Sequence, residues 1–332
     1  MVNIAILGCG TIASIMARTL REMKRRGTPI RLYAAGARSL ERAQAFCEKE
    51  DFEVAYGSYE EMVQDPQVDL VYIATPHSHH AQQAILCLEH GKAVLCEKAF
   101  TANAKQARQV LSLAKEKGLL VAEAIWPRYM PFGKILRETI ASGAIGEPHL
   151  LTASLIGPAE DYERIVKPEL AGGALLDVGV YPLTFCSMLF GDDFDRIDSS
   201  VQLLPSGMDR QEILTLHYPD GRMAVLCAGV ACPYPKDCII SGTKGYLIVD
   251  YCANPGKISL YLKDENFGIA HDIPLPEKIS GYEYEIEACL RALEAGSIEC
   301  PEMPHAQILR MMEIMDDLRR EWGVVYPFET EE

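Results

Sequence analysis

Between residue 1 and about residue 124, five short runs are apolar without alternation: 4–7, 32–35, 70–74, 93–96 and 119–122. A strand that is apolar on both faces has to be covered on both faces. Each run is followed by a segment long enough for a helix, and 12–26, 40–50, 79–90 and 104–117 carry a helical spacing of apolar residues. A parallel strand needs a long crossover connection, and a helix is the usual one. The pattern therefore predicts an α/β domain with a doubly wound parallel sheet.

After Trp126-Pro127 the rhythm changes. Strand-like runs between about 195 and 263 are separated by Pro219-Asp220-Gly221, by Gly242-Thr243-Lys244-Gly245 and by Asn254-Pro255-Gly256, which read as hairpin turns. Helical patterns precede them (131–141, 174–190) and follow them (282–295, 306–322). The expectation is a C-terminal α+β domain with a large open, mainly antiparallel sheet. Boundaries of 1–124 and 125–332 follow, with the C-terminal helices placed to pack back on the first domain. The run 223–232 lacks polar alternation, so cover on both faces is expected, by helices on one side and by the same chain or a second subunit on the other. The tail 329–332 is expected to fray.

A formal net charge of −15 argues against nucleic acid or an anionic membrane as the main partner. The chain enters an apolar strand at once, with no basic leader, and no apolar run reaches the length expected of a membrane span. Eleven cysteines without a CxxC pair, several of them inside apolar runs, suit reduced, buried thiols and a cytoplasmic location.

The first strand runs into Gly8-Cys9-Gly10-Thr11-Ile12-Ala13, the G-x-G-x-x-A form of the dinucleotide fingerprint of a Rossmann domain. Gly8 permits the turn, Gly10 admits a pyrophosphate, and the helix starting at Thr11 and Ile12 supplies N–H donors. The second strand ends in Ala35-Gly36-Ala37-Arg38-Ser39, where NAD sites commonly carry an acid. Arg38, with Ser39 beside it, suits a 2′-phosphate, so NADP is preferred, with NAD left open. The fourth strand leads into Thr75-Pro76-His77-Ser78-His79-His80. No matching cluster completes a metal set, so no metal is expected. Loops at the carboxyl ends of parallel strands bind ligands, which assigns Thr75, Pro76, His77 and His80 to the cofactor, with Ser78 as a candidate helix cap.

The fifth strand ends abruptly in Glu97 and Lys98, on the same rim. In Gly172-Gly173-Ala174-Leu175-Leu176-Asp177-Val178-Gly179-Val180-Tyr181, an acid and a phenol four residues apart would share one helix face. They are either a structural hydrogen bond or a proton-transfer pair.

Taken in order, Gly8-x-Gly10-x-x-Ala13, Cys96-Glu97-Lys98, Glu123-Ala124-Ile125-Trp126-x-Arg128 and the 172–181 motif resemble the glucose-fructose oxidoreductase / inositol dehydrogenase (Gfo/Idh/MocA) family. Within it, the likeness is to the dimeric dihydrodiol dehydrogenases and NADP-dependent D-xylose dehydrogenases. The resemblance implies hydride transfer to or from a carbinol carbon of a sugar or cyclic trans-diol. It implies Lys98 and Tyr181 beside the nicotinamide, with Tyr181 as acid/base and Asp177 near the substrate. It places Trp126 in the substrate pocket and Glu97, Lys98 and Arg128 on the cofactor side. It also implies a homodimer or homotetramer formed through the C-terminal sheet. Ala99 stands where the family has proline, and a cis bond before a non-proline residue costs about 3 kcal/mol, so a different local backbone is expected. The alternatives are an inositol or anhydrosugar dehydrogenase of the same family, or a catalytically silent NADP sensor.

Overall fold

A computed structural model describes residues 1–265 and 270–329. The chain divides into two compact units, residues 1–125 with 278–313 and residues 126–277 with 314–332.

The first unit alternates strand and helix: β1 (Val2–Leu7), α1 (Thr11–Arg25), β2 (Ile30–Gly36), α2 (Leu40–Glu50), β3 (Val54–Tyr56), α3 (Tyr59–Gln64), β4 (Leu70–Ile73), α4 (His77–Glu89), β5 (Ala93–Glu97), α5 (Ala104–Lys117) and β6 (Val121–Ala124). All five neighbour pairings are parallel, in the order β3-β2-β1-β4-β5-β6. β4, β5 and β6 are buried throughout, as their unbroken apolar runs require. The order reverses between β1 and β4, and sheets of this kind bind ligands at the carboxyl ends of the strands beside such a reversal.

The second unit contains α6 (Pro131–Ala141), β7 (Pro148–Ile156), a short α7 (Glu163–Val166) and α8 (Val180–Phe190), followed by β8 (Arg196–Leu203), β9 (Asp209–His217), β10 (Met223–Gly229), β11 (Cys238–Gly242), β12 (Gly245–Val249), β13 (Ile258–Leu262) and β14 (Ala270–Ile273). Its eight strands are ordered β14-β13-β12-β11-β7-β10-β9-β8. The sheet is mixed: β10 pairs parallel with β7, and the other pairings are antiparallel. Two helices close the chain, α9 (Glu283–Ala295) and α10 (His305–Trp322). α9 and the start of α10 belong to the first unit.

Three expectations change. Within this chain β10 is covered on one face only, so the same chain does not supply the second cover: Ala224, Leu226 and Ala228 are buried, while Met223 is exposed and Val225 and Cys227 are half-buried. Its outward residues are apolar, which hides the alternation in the sequence. The stretch Pro168–Phe190 is long and apolar enough by composition to cross a membrane, although 78% of its most apolar window is buried, as in a core helix. Glu329 is held in place, because Arg319 donates to both of its carboxyl oxygens; residues 330–332 lie outside the described residues.

Candidate active site

In the first unit the glycine turn is shaped for a ligand. Gly8 has φ +98°, and a Cβ there would lie 2.8 Å from both the Ala74 carbonyl oxygen and the Thr75 methyl. Gly10, by contrast, has nothing within 4 Å of where its Cβ would be. It opens α1, which has no side-chain cap and no acid in its first turn, so the N–H groups of the first turn and the positive end of the helix dipole are available to an anion. That space and those donors fit a dinucleotide pyrophosphate. A groove runs on from Cys9, Gly10 and Thr11 past Ser14 and Arg18 of α1 to Lys49 of α2. Burial pushes the Cys9 thiol up to about 11, so it stays protonated and is no nucleophile.

Arg38 is exposed at the end of β2. Ser39 is committed to the fold, because its hydroxyl accepts from Arg42 N at 3.3 Å and caps α2. The structure adds Arg42 and Tyr59 to this corner. Burial raises the Tyr59 phenol, while the Arg38 and Arg42 guanidinium groups pull against that rise. His79 is lowered, first by burial and then by Arg38. Two arginines and an aromatic ring thus gather where a carboxylate would turn away a 2′-phosphate. Arg42 lies one helical turn beyond Arg38, and that spacing in the sequence could have revealed it.

The histidine loop is mostly engaged with the protein. Thr75 donates its hydroxyl to Gln83. Pro76, not Ser78, occupies the N-cap of α4, and the Ser78 hydroxyl is buried without a hydrogen-bond partner among the described residues. His77 is buried edge-on to His80, with ring centroids 5.7 Å apart. Both His80 ring nitrogens face backbone carbonyls, Thr75 O at 2.8 Å and Ala99 O at 2.9 Å. His80 therefore ties two loops together and has no ring nitrogen left for a cofactor.

The 97–100 loop is fixed from three sides. Glu97, expected in the cofactor wall, turns inward: it accepts from the Tyr72 phenol and from Lys98 N at 3.2 Å. Glu123 accepts from Phe100 N at 3.0 Å, and His80 meets Ala99 O. The Lys98–Ala99 peptide is cis.

In the second unit the 172–181 motif is built over buried carboxylates. Residues Leu175–Gly179 form a π-helical turn, and α8 continues from it at Val180. Asp177 and Tyr181 therefore straddle a junction, and the face they were expected to share on one regular helix is broken by the wider turn. Gly173 has φ +107°, and a Cβ there would lie 2.1 Å from Asp209 Oδ1; one on Gly179 would lie 2.6 Å from Glu212 Oε1. Asp209 accepts from Leu175 N, and burial pushes its carboxyl up to about 6. Glu212 is raised well above the carboxylate range, first by burial and then by Asp209. Asp177 is buried and accepts from Arg164 Nη2 at 3.2 Å. Arg164 left no signal in the sequence, because α7 is a short turn thirteen residues upstream. Trp126 and Arg128 lie on a 3₁₀ turn, and Arg128 donates to the Ser187 hydroxyl on α8 at 2.6 Å.

Comparison with known proteins matches residues 2–124 to the model of an oxidoreductase family with an NAD-binding Rossmann fold, and residues 134–248 to the GFO/IDH/MocA C-terminal domain. A trans-1,2-dihydrobenzene-1,2-diol dehydrogenase from Danio rerio is 34% identical over 88% of this chain and 89% of its own. The Homo sapiens protein of that name is 31% identical over 97% of each. Among solved structures, KijD10, a 3-ketoreductase from Actinomadura kijaniata in complex with NADP and TDP-benzene, superposes with a TM-score of 0.85 at 25% identity, covering 96% of this chain and 97% of that one.

Proposed function

The chain belongs to the GFO/IDH/MocA family of NAD(P)-binding oxidoreductases, and on that premise we propose that it oxidises or reduces a carbinol carbon of a sugar or cyclic trans-diol, with NADP preferred. Tyr181 is the acid/base and Lys98 assists it. When bound, the nicotinamide accepts or supplies the hydride. In the oxidative direction Tyr181 takes the hydroxyl proton, and in reduction it returns it. A free phenol titrates near pH 10, at about three units above neutrality. A lysine cation favours the phenolate and makes the phenol a usable base. Asp177, which pairs with the Arg164 guanidinium, accepts from a substrate hydroxyl in this reading.

The observation that carries this reading is the retention of Lys98, Asp177 and Tyr181, with buried carboxylates holding the backbone nearby: Glu97 and Glu123 around Lys98, and Asp209 at the start of the turn of Asp177 and Tyr181. A pure sensor has no need of such a set. The relatives named for a trans-dihydrodiol support the cyclic diol. The gathering of Arg38 and Arg42 around Tyr59 supports the 2′-phosphate. For assembly, the outer face of the second sheet, with Leu150, Ile213 and Met223 exposed, supports a homodimer or homotetramer. All eleven cysteines are free, which supports a reducing compartment.

The test is nicotinamide absorbance with NADP⁺ and NAD⁺ against trans-dihydrobenzenediol, aldoses and inositols. Turnover of the diol or a pyranose with NADP⁺ is expected. Turnover confined to inositols would move the substrate class, and silence with tight NADPH binding would favour the sensor.

A further inference from the structure

Behind the 97–100 loop stands a carboxylate that the proposed reaction does not use. Glu285, in the first turn of α9, is fully buried, and neither of its oxygens has a hydrogen-bond partner among the described residues. The titratable groups that act on it are Glu97 from β5, Cys300, and Glu283 of its own helix. Tyr72 of β4 faces the same cluster, feeling Glu97, Glu285 and Tyr282. Among the described groups that act on Glu285, none is a cation.

The donors are unevenly shared. Glu283 accepts from Ile279 N, from Ser280 N and its hydroxyl, and from Gly281 N. Glu97 accepts from the Tyr72 phenol and from Lys98 N. Glu285 accepts from none of the described residues. Two neighbouring carboxyls in a dry site do not both ionise, and hydrogen bonds to the charged form decide which one does.

We propose that Glu285 is a positioning residue: it carries the one proton of the Glu97–Glu285 pair, which leaves Glu97 the anion that grips the Lys98 backbone. Its functional side rests on the reading of Lys98 above; the pairing itself does not. Burial, followed by the Glu97 charge, drives the Glu285 carboxyl upward, the direction that the pairing needs. Burial also raises the Tyr72 phenol well above its ordinary range, so it remains a donor to Glu97. If Glu285 loses that proton at alkaline pH, two anions face each other in a dry site, and their repulsion drives the Glu97 carboxylate off Lys98 N.

The experiment uses the full chain in three forms: wild type, Glu285→Gln and Glu97→Gln. Glu285→Gln keeps the shape and the neutral charge, and its melting temperature checks the fold. Infrared difference spectra in H₂O and D₂O, wild type minus variant, are expected to show a protonated-carboxyl component for Glu285→Gln; the Glu212 carboxyl contributes to both proteins and cancels. The alkaline limb of turnover with NADP⁺ and trans-dihydrobenzenediol should move up by about half a pH unit or more in Glu285→Gln, since glutamine cannot ionise. A difference component missing for Glu285→Gln and present for Glu97→Gln would put the proton on Glu97 and overturn the assignment. No difference component for either variant would overturn the sharing. A component present for Glu285→Gln with an unmoved limb would overturn the positioning role. Absence of turnover in the wild type, with that component present, would sink the reading of Lys98 and leave the pair standing.

Discussion

Glycine does opposite work in the two units. In the first, Gly10 stands before open space, and what it spares is room for a ligand. In the second, Gly173 and Gly179 press against Asp209 and Glu212, and what they spare is room for the protein's own buried acids. One leaves a space open and the other closes on the protein's own groups, although both appear in the sequence as glycine-rich runs. The contrast extends to charge. Arg38 and Arg42 are exposed on the first unit's rim, where a guanidinium is cheap to keep ionised. The second unit buries two carboxyls under the turn that carries Asp177 and Tyr181, where ionisation is costly.

The sharpest way to break this contrast is to add one methyl group in each unit. Gly173→Ala combines a positive φ with a clash against Asp209, and overpacking of this kind costs about 1–3 kcal/mol before backbone strain is added. The expected outcome is a large fall in melting temperature or loss of soluble protein. Gly10→Ala should melt like the wild type and yet bind NADPH about tenfold or more weakly, roughly 1.4 kcal/mol. If Gly10→Ala unfolds while Gly173→Ala does not, the division of roles is wrong.

A smaller effect sharpens the cofactor side. Arg38→Ala and Arg42→Ala should each weaken NADP by about tenfold, the scale of a charge-assisted hydrogen bond, with little change for NAD. Equal losses for the two cofactors in a fluorescence titration would remove the 2′-phosphate from this corner.

The smallest effect concerns pH. Asp209 and Glu212 have folded-state values raised above those of the unfolded chain, so the fold holds protons that the unfolded chain releases. Their contribution is fully present below the unfolded carboxylate range and is lost as pH rises, for Asp209 through about 6. Glu212→Gln, neutral at every pH, should flatten the decline of melting temperature between acid and neutral pH. An unchanged slope would mean that Glu212 is ionised in the fold.

The two units were also unequally legible. Unbroken apolar runs gave away the parallel sheet because both of its faces are buried. Hydrogen-bond register is invisible to residue spacing, so the π turn at Leu175–Gly179 passed for ordinary helix. Glu285, Arg164 and Glu212 could not be found from the sequence, since each acts on a partner distant in the chain. Ser39 and His80 sat in the right loops, but their polar atoms are taken by Arg42 N and by two carbonyls. Position in a motif did not reveal that.

The division of labour is tested most directly by Tyr181→Phe, with turnover and NADPH dissociation measured on the same preparation. General acid–base catalysis is worth about 100-fold or more, so turnover should fall by at least that factor while the dissociation constant stays put. Turnover retained within a few-fold, or a dissociation constant that falls away together with turnover, would contradict the account.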